Sequence, residues 1–300
     1  MTSDFLLKPI YSRKLKNNDW VIYAVDSSLL VVDESTAKSL TRDDKFLEKC
    51  DESFLNLLSE CGYLRDSLDH PQHIPFEETT FLYKILRHAM LFTGVISITF
   101  IFILIPMVGI PRGNNLFSSD SGLWNELIVV AMFSMSTTLI HEIMHMIFAK
   151  TFTYYRGGLR FYIKRSTVTV SMTHIWVWSI ISRITALSAG MIADLLLLAS
   201  LSFIRLNNDS WIFVAGSIIL WIRILWQLRF HKKCDGQLLA MTILDNPMIT
   251  VDVKNKHLRR NKDVKIWKNL TVIGYLVDFF LLAFWIIPFV LSVFSLILSL

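Results

Sequence analysis

Long apolar runs limit what this chain can fold into more than any other feature of its sequence. The first, residues 91–110, contains no charged side chain, and others cover residues 124–149, 184–204, 211–228 and 269–300. An α-helix needs about 20 apolar residues to cross the core of a bilayer, where helices satisfy every backbone group internally. The runs therefore predict a mainly α, polytopic α-helical membrane protein with about five or six spans. Pro288 leaves open whether the last run forms one span or two.

The distribution of charge predicts how these spans are oriented in a lipid bilayer. Charged residues make up 18% of the chain, below the roughly 25% of soluble domains. Lysine and arginine concentrate in residues 151–183 and 229–268. By the positive-inside rule, these segments and the polar residues 1–78 lie in the cytoplasm. Three cysteines without regular spacing also favour a reducing compartment, so we expect a multi-pass protein of the cell membrane with a cytoplasmic N-terminal domain.

The second apolar run carries a potential metal-binding motif, HEIMH. His141 and His145 are four residues apart and share one face of a helix, with Glu142 beside the first. Two neutral imidazoles can hold Zn²⁺, and the carboxylate can take a proton from zinc-bound water and pass it to a leaving amine. The alternative is a chance match, or histidines that only hydrogen-bond to their neighbours. Because ionisable groups at membrane depth are costly, the motif favours a metal site.

A hydrolytic zinc site needs a third protein ligand, and Asp235 is the best candidate. It opens a short apolar stretch after the fourth run, and Gly236 next to it permits a close backbone approach. The alternative is that Asp235 only caps the following helix. The rival ligands are Cys234, His231, Asp245 and His174.

Asp194 is a further acid within an apolar run, in the segment SAGMIAD. An ionisable side chain at this depth marks a candidate functional position. We expect Asp194 either to line the substrate cavity or to support a metal ligand, and we rank it below Asp235 as a ligand.

Three motifs in this order, HEIMH, SAGMIAD and CDG at residues 234–236, resemble those of the site-2 protease family of intramembrane zinc metalloproteases. The resemblance implies that His141, His145 and Asp235 bind zinc and that Glu142 is the catalytic base. The run CDGQLLAMTILDNP is similar to that of the peptide-maturation branch of peptide zinc metalloproteases. Met191 stands where the family usually has proline, and Asp194 stands where it often has asparagine. At these two positions the resemblance therefore does not imply how a substrate is held.

Alternation of apolar and polar residues predicts a small β-hairpin between the second and third spans. Leu159, Phe161 and Ile163 would share one face of its first strand. An exposed strand edge can hold an unwound peptide by adding it to the sheet, so these three residues are candidates for substrate binding. The family resemblance implies a hairpin at the same position. A surface hairpin that only shields the cytosolic mouth is the alternative.

Residues 1–78 predict a separate cytosolic domain ahead of a membrane-embedded metalloprotease domain, residues 79–300. Two β-rich runs flank Asp26, and the amphipathic residues 34–64 follow them, which indicates a small α+β, winged-helix-like domain. It resembles the PqqD-like peptide-recognition domains, which bind leaders of ribosomally made peptides. Acids offset its bases and no basic stripe is present, so nucleic acid is not an expected partner.

These features predict an intramembrane zinc metalloprotease that cleaves a ribosomally made precursor peptide or another membrane-associated peptide near the cytosolic face. The resemblance to the peptide-maturation branch adds a peptide-modifying enzyme and an exporter as expected partners. Two alternatives stay open. One is regulated intramembrane proteolysis of a membrane-anchored regulator or signal-peptide remnant, and the other is a non-catalytic membrane subunit that binds or transports peptides.

Overall fold

A computed structural model describes residues 5–42, 47, 50–66, 70, 72–117, 122–151, 159–162, 167–170, 172–255, 257 and 261–298. The molecule is mainly helical, as predicted, with a few small strands. The predicted hairpin between the second and third long helices is present, since strand β6 (Leu159–Tyr162) pairs antiparallel with β7 (Thr167–Val170).

The N-terminal region combines short strands with two helices. Strands β2 (Tyr11–Lys14), β3 (Trp20–Tyr23) and β4 (Leu30–Val32) form an antiparallel sheet, followed by helices α1 (Glu34–Arg42) and α2 (Glu52–Glu60). The β3–β4 hairpin and both helices were predicted. Strand β2 was not predicted, nor was strand β1 (Phe5–Leu7), which pairs with β5 (Leu64–Asp66). The hydroxyl of the buried Tyr63 lies 2.8 Å from the carbonyl oxygens of Ile22 and Ser28, which share its one hydrogen and tie Tyr63 to the sheet.

Four helices in the described part of the chain are long and apolar enough to cross a membrane. They are α3 (Phe81–Val108), α4 (Leu123–Phe148), α5 (Ile180–Arg205) and a last unit, which consists of α9 (Lys262–Leu281), a π-helical turn (Leu282–Ile286) and α10 (Ile287–Leu298). The last apolar run is therefore one continuous helical unit. Its π turn ends two residues before Pro288, which has no amide hydrogen to bond within the helix.

The structure thus has four helices of spanning length among the described residues, where about five or six spans were predicted. A fifth apolar helix, α6 (Trp211–Gln227), is shorter at 17 residues. Two short helices follow it, α7 (Asp235–Leu244) and α8 (Ile249–Asp252). Helix α3 begins ten residues before the apolar run from which it was predicted. The physical reason is that residues 81–90 mix apolar side chains with Lys84, Arg87 and His88, so they continue the helix without belonging to the uncharged run.

Helix α5 lies at the centre of the helical region. In the most apolar 18-residue stretch of each helix, 56% is buried in α5, against 22% in α3 and 11% in α4. Small residues allow its neighbours to approach, as they do in membrane helix packing. The close contact between Gly94 of α3 and the side chain of Ile192 is one case, since a Cβ at Gly94 would lie 2.9 Å from that side chain. The central position of α5 brings α3, α4, α6 and α7 together around it.

The N-terminal region docks onto this helical region through an ion-pair cluster at Asp245. Its carboxylate accepts hydrogen bonds from Arg13 of β2 at 2.7 and 3.2 Å and from Arg183 of α5 at 3.0 Å. Leu15 and Val21 add an apolar contact with Trp176. Burial alone would raise the pKa of Asp245, but the hydrogen bonds and charges of the two arginines outweigh burial and hold the pKa below its usual value.

The segment that leads into α3 also contacts the start of α5. The carboxylate of Glu77 accepts hydrogen bonds from the backbone amide of Ser179 at 2.8 Å and from the hydroxyl of Ser182. Ser179 is the N-cap residue of α5, so Glu77 satisfies an amide at a helix start and places its negative charge there. Next to it, Glu78 pairs with Lys150 at 2.6 Å. The segment therefore fixes the ends of α4 and α5 relative to each other.

His174 provides a test of this packing by pH. It is 1% exposed, in a 3₁₀ turn (Thr173–Val177), and its Nε2–H donates to the carbonyl oxygen of Ala149 at 2.8 Å. Burial lowers the pKa of His174 to about 4, although the hydrogen bond to Ala149 acts in the opposite direction. In the unfolded chain this imidazole binds a proton near pH 6.5, whereas in the folded protein it stays neutral down to about pH 4. The stability that the buried neutral imidazole contributes is therefore complete above pH 6.5 and is lost as the pH falls towards 4.

We therefore expect His174→Gln, which keeps a donor for Ala149, to reduce the acid sensitivity of the protein. Between pH 7 and pH 4 the variant should lose about 3 kcal/mol less stability than the parent. Thermal unfolding in detergent at several pH values measures the effect, with the exposed His257→Gln as the control. Identical pH dependence in the His174 variant and the parent would contradict the assignment.

Candidate metal centre

Helix α4 presents the HEIMH motif near its C-terminal end. The i, i+4 spacing places His141 and His145 on the same face, where they are 2% and 1% exposed. Their Nε2 atoms lie 3.1 Å apart. Glu142 lies beside them and is half-buried. The predicted pair of histidines is therefore brought together inside the helical region.

The start of helix α7 brings Asp235 to the two histidines. Its Oδ2 atom lies 3.0 Å from Nε2 of His141 and 3.2 Å from Nε2 of His145. The backbone amide of Asp235 donates to Oε1 of Gln227, which fixes the helix start. Gly236 is required here, because a Cβ would lie 1.9 Å from the carbonyl oxygen of Gln227. Asp235 is thus a member of the site, in addition to being the first residue of its helix.

Hydrogen bonds behind the histidines show which ring nitrogens face the centre as acceptors. Nδ1 of His145 lies 2.7 Å from the carbonyl oxygen of Ala186, which can only accept, so this nitrogen carries the proton. Nδ1 of His141 lies 2.8 Å from Oδ2 of Asp194, and the carboxylate fixes the same tautomer. In their neutral forms both histidines therefore direct an unprotonated Nε2 towards Asp235.

Three acceptor atoms thus converge at 3.0–3.2 Å from one another. Lone pairs at this distance repel unless a proton or a cation lies between them. Tetrahedral coordination with bonds of about 2.0–2.1 Å places ligand atoms roughly 3.3 Å apart, close to the observed separations. Among the residues that the structure describes, His141, His145 and Asp235 form the one group of three with this arrangement. The donor set therefore fits a metal ion.

Gly190 of α5 closes one side of this centre. A Cβ at this position would lie 2.6 Å from Nε2 of His141 and 2.6 Å from Nε2 of His145. Only glycine leaves room for both imidazoles here. The small-residue segment SAGMIAD, noted in the sequence without a role for each position, therefore forms part of the wall of the site.

Asp194 lies behind His141. It is 0% exposed, its Oδ2 contacts Nδ1 of His141, and its Oδ1 forms an ion pair with Arg223 of α6 at 3.1 Å. Two roles were considered for Asp194, lining a substrate cavity and supporting a metal ligand. Its contact with Nδ1 of His141 corresponds to the second. A fully buried side chain with both oxygens engaged does not offer a surface to substrate.

The four rival ligands make other contacts. Asp245 pairs with Arg13 and Arg183, and His174 donates to the carbonyl oxygen of Ala149. His231 pairs with Asp278 of α9 at 2.9 Å and stacks on Tyr275. Sγ of Cys234 lies 3.2 Å from the carbonyl oxygen of Gln227. None of the four belongs to the group of converging acceptors among the described residues.

The candidate substrate residues of the hairpin are only partly described. Leu159 and Phe161 lie on β6, which pairs with β7 in the register Leu159↔Val170 and Phe161↔Val168. Ile163 lies outside the described residues, as do the side chains of Leu159 and Phe161. Their assignment to substrate binding stays a prediction.

Sequence reasoning missed two residues behind the centre: Arg223, which pairs with Asp194, and Thr137, which Arg223 contacts. Nη1 of Arg223 donates to Oγ1 of Thr137 at 2.7 Å. One signal was available for Arg223, since it is the charged residue within the apolar run of residues 211–228, and a charge in such a run marks function. Thr137 carried no comparable signal.

Comparison of the chain with models of known protein families, with curated proteins and with solved structures finds no match.

Proposed function

We propose that this chain is a membrane-embedded zinc metallopeptidase. The observation that carries the proposal is the convergence of three acceptor atoms, from His141, His145 and Asp235, beside the carboxylate of Glu142. Four helices of spanning length support a position in the membrane. The order of the motifs, which resembles that of the site-2 proteases, supports peptide hydrolysis as the reaction.

Zinc is the metal we favour because of the donor set. Two imidazoles and one carboxylate are a typical three-residue set for a catalytic zinc, which keeps one further position open. When bound, such an ion lowers the pKa of water and polarises the carbonyl group of the scissile bond. His141, His145 and Asp235 would hold it, and Gly190 would keep the space for it free of side-chain atoms.

Glu142 is the proposed general base. Its half-buried side chain belongs to the same helix as both histidines and is not among the three converging ligands. It can therefore accept a proton from the attacking water without being required to hold the metal. The same carboxyl group then gives the proton to the leaving amine, so that the carboxylate is regenerated in each cycle.

The proposed substrate is a peptide, either a ribosomally made precursor or a membrane-associated segment, cleaved near the cytoplasmic face. The edge of the β6–β7 hairpin would hold it by strand addition, and the N-terminal region would recruit it. In support, the N-terminal sheet and helices dock onto the helical region through Asp245, which ends the helix that Asp235 begins. A bound peptide would thus lie on a domain attached next to the site.

Two aspartates on α7 distinguish a metal ligand from a structural residue. We expect Asp235→Ala to weaken zinc binding by more than roughly 10², beyond the loss that removal of a supporting residue causes. Asp245→Ala should retain zinc binding but lose about 2–3 kcal/mol of stability, since it leaves the buried Arg183 without its anion and next to Arg13. Zinc titration and thermal unfolding of the purified variants in detergent measure both effects.

The opposite pattern would move the third ligand from Asp235 to Asp245 and overturn the site as described. Equal zinc binding by the parent, by Asp235→Ala and by a His141→Ala, His145→Ala double variant would exclude the proposed centre altogether. About one zinc per chain is the content expected for the parent.

A further inference from the structure

We propose that Arg223 is a positioning residue for the metal centre, and the proposal rests on the metallopeptidase function proposed above. Its guanidinium forms an ion pair with Oδ1 of Asp194 at 3.1 Å, while Oδ2 of the same carboxylate contacts Nδ1 of His141 at 2.8 Å. Arg223 therefore acts on a ligand through one intermediate side chain.

The same guanidinium also reaches α4. Nη1 of Arg223 donates to Oγ1 of Thr137, and that hydroxyl donates to the carbonyl oxygen of Phe133. Thr137 lies one helical turn before His141, on the same face of α4. The contacts form a closed circuit from His141 through Asp194 and Arg223 to Thr137. This circuit joins α4, α5 and α6, the three helices packed at this side of the centre.

Charge explains why the circuit contains an arginine. Asp194 is 0% exposed, and Asp235 and Glu142 add two further carboxyl groups at the site. A buried carboxylate without a cation is costly, and the ion pair at 3.1 Å gives Asp194 the guanidinium of Arg223 as its cation. The planar guanidinium can engage Asp194 and Thr137 with two different nitrogens, which the single ammonium group of lysine does less well.

The consequence concerns the imidazole of His141. Asp194, held in place by Arg223, accepts the Nδ1–H of His141 and so directs Nε2 of the ring towards Asp235. Supporting residues of this kind typically contribute 10–100-fold to metal affinity. Loss of the Arg223 charge should therefore weaken metal binding, although Arg223 contacts none of the three ligand atoms directly in the hydrogen bonds and ion pairs described.

The test compares metal affinity, measured by competition of Zn²⁺ with a chromophoric chelator, among variants of the full chain in detergent. We expect Arg223→Met to bind zinc about 10–100-fold more weakly than the parent. Arg223→Lys should recover part of the affinity, because it restores the charge without the planar geometry. The matched control is Arg205→Met, which removes another buried arginine of the helical region, paired with Asp209, and should bind zinc as the parent does.

A double variant separates positioning from folding. If Arg223 acts through the charge of Asp194, Asp194→Asn with Arg223→Met removes both members of the ion pair and should cost less affinity than the two single changes together. Parent-like zinc affinity in Arg223→Met would overturn the inference, as would strictly additive effects in a double variant that retains its helix content. Failure of the parent itself to bind zinc would instead refute the proposed function.

Discussion

Replacement of Glu142 by glutamine should lower peptide cleavage by roughly 10² or more while zinc content and folding stay as in the parent. Glutamine keeps the shape and the hydrogen-bonding capacity of the side chain but cannot accept the proton of the attacking water. Glu142 is not among the three converging ligand atoms, so the metal should still bind. The rate is measured on fluorogenic peptides that the parent cleaves, together with zinc content and circular dichroism.

Glu126 on the same helix offers a control for this experiment. It is a buried acid sixteen positions before Glu142, about 24 Å along the helix axis. Cleavage by Glu126→Gln should match that of the parent. Parent-like cleavage by Glu142→Gln would show that another group activates the water, or that a contaminating protease produces the signal.

A large effect on the metal itself is also expected from Gly190→Ala. The added methyl group would lie 2.6 Å from both Nε2 atoms, so at least one imidazole must move. Neither can move freely, because Nδ1 of His141 is bound to Asp194 and Nδ1 of His145 to the carbonyl oxygen of Ala186. We expect zinc affinity to fall by more than roughly 10², beyond the loss of a supporting residue. Zinc titration measures it, and circular dichroism verifies the helix content.

Gly216→Ala in α6 is the matched control. Its Cβ would approach the side chains of Leu201 and Phe133 at 3.1 Å, and both are apolar residues outside the group of converging ligand atoms. This variant should show slight destabilisation and parent-like zinc binding. If both glycine variants bound zinc equally, the imidazoles would not be held as the structure describes, and Gly190 would have no specific role in the site.

Local periodicity explains which parts of this structure could be predicted from sequence. The helices follow from long apolar runs, and the shared face of His141 and His145 follows from the i, i+4 rule, which needs no tertiary information. The β6–β7 hairpin was predicted from alternation over a few residues. The pairing of β1 with β5 was missed, because each strand has three residues and their partners lie about 60 positions apart in the chain.

Tertiary contacts determined the parts of the site that sequence alone left open. Asp235 was chosen among six candidates from its Asp-Gly setting and the family resemblance, whereas its distance to the histidines depends on how α7 packs against α5. The role of Arg223 required the relative positions of three helices. Asp245 looked like a possible ligand by residue type, and the structure shows that two arginines engage it.

The order of the ligands along the chain has a consequence for biosynthesis. His141 and Asp235 are 94 positions apart, and α5, which lies against both, is made between them. When the ribosome has finished α4, both imidazoles have been made, but Asp235 and Gly190 have not. The third ligand joins them only after α5 and α6 have been synthesised and packed. The nascent chain thus lacks the complete set of three converging acceptor atoms while it is being inserted, so the proposed peptide hydrolysis can begin only after the helices have assembled.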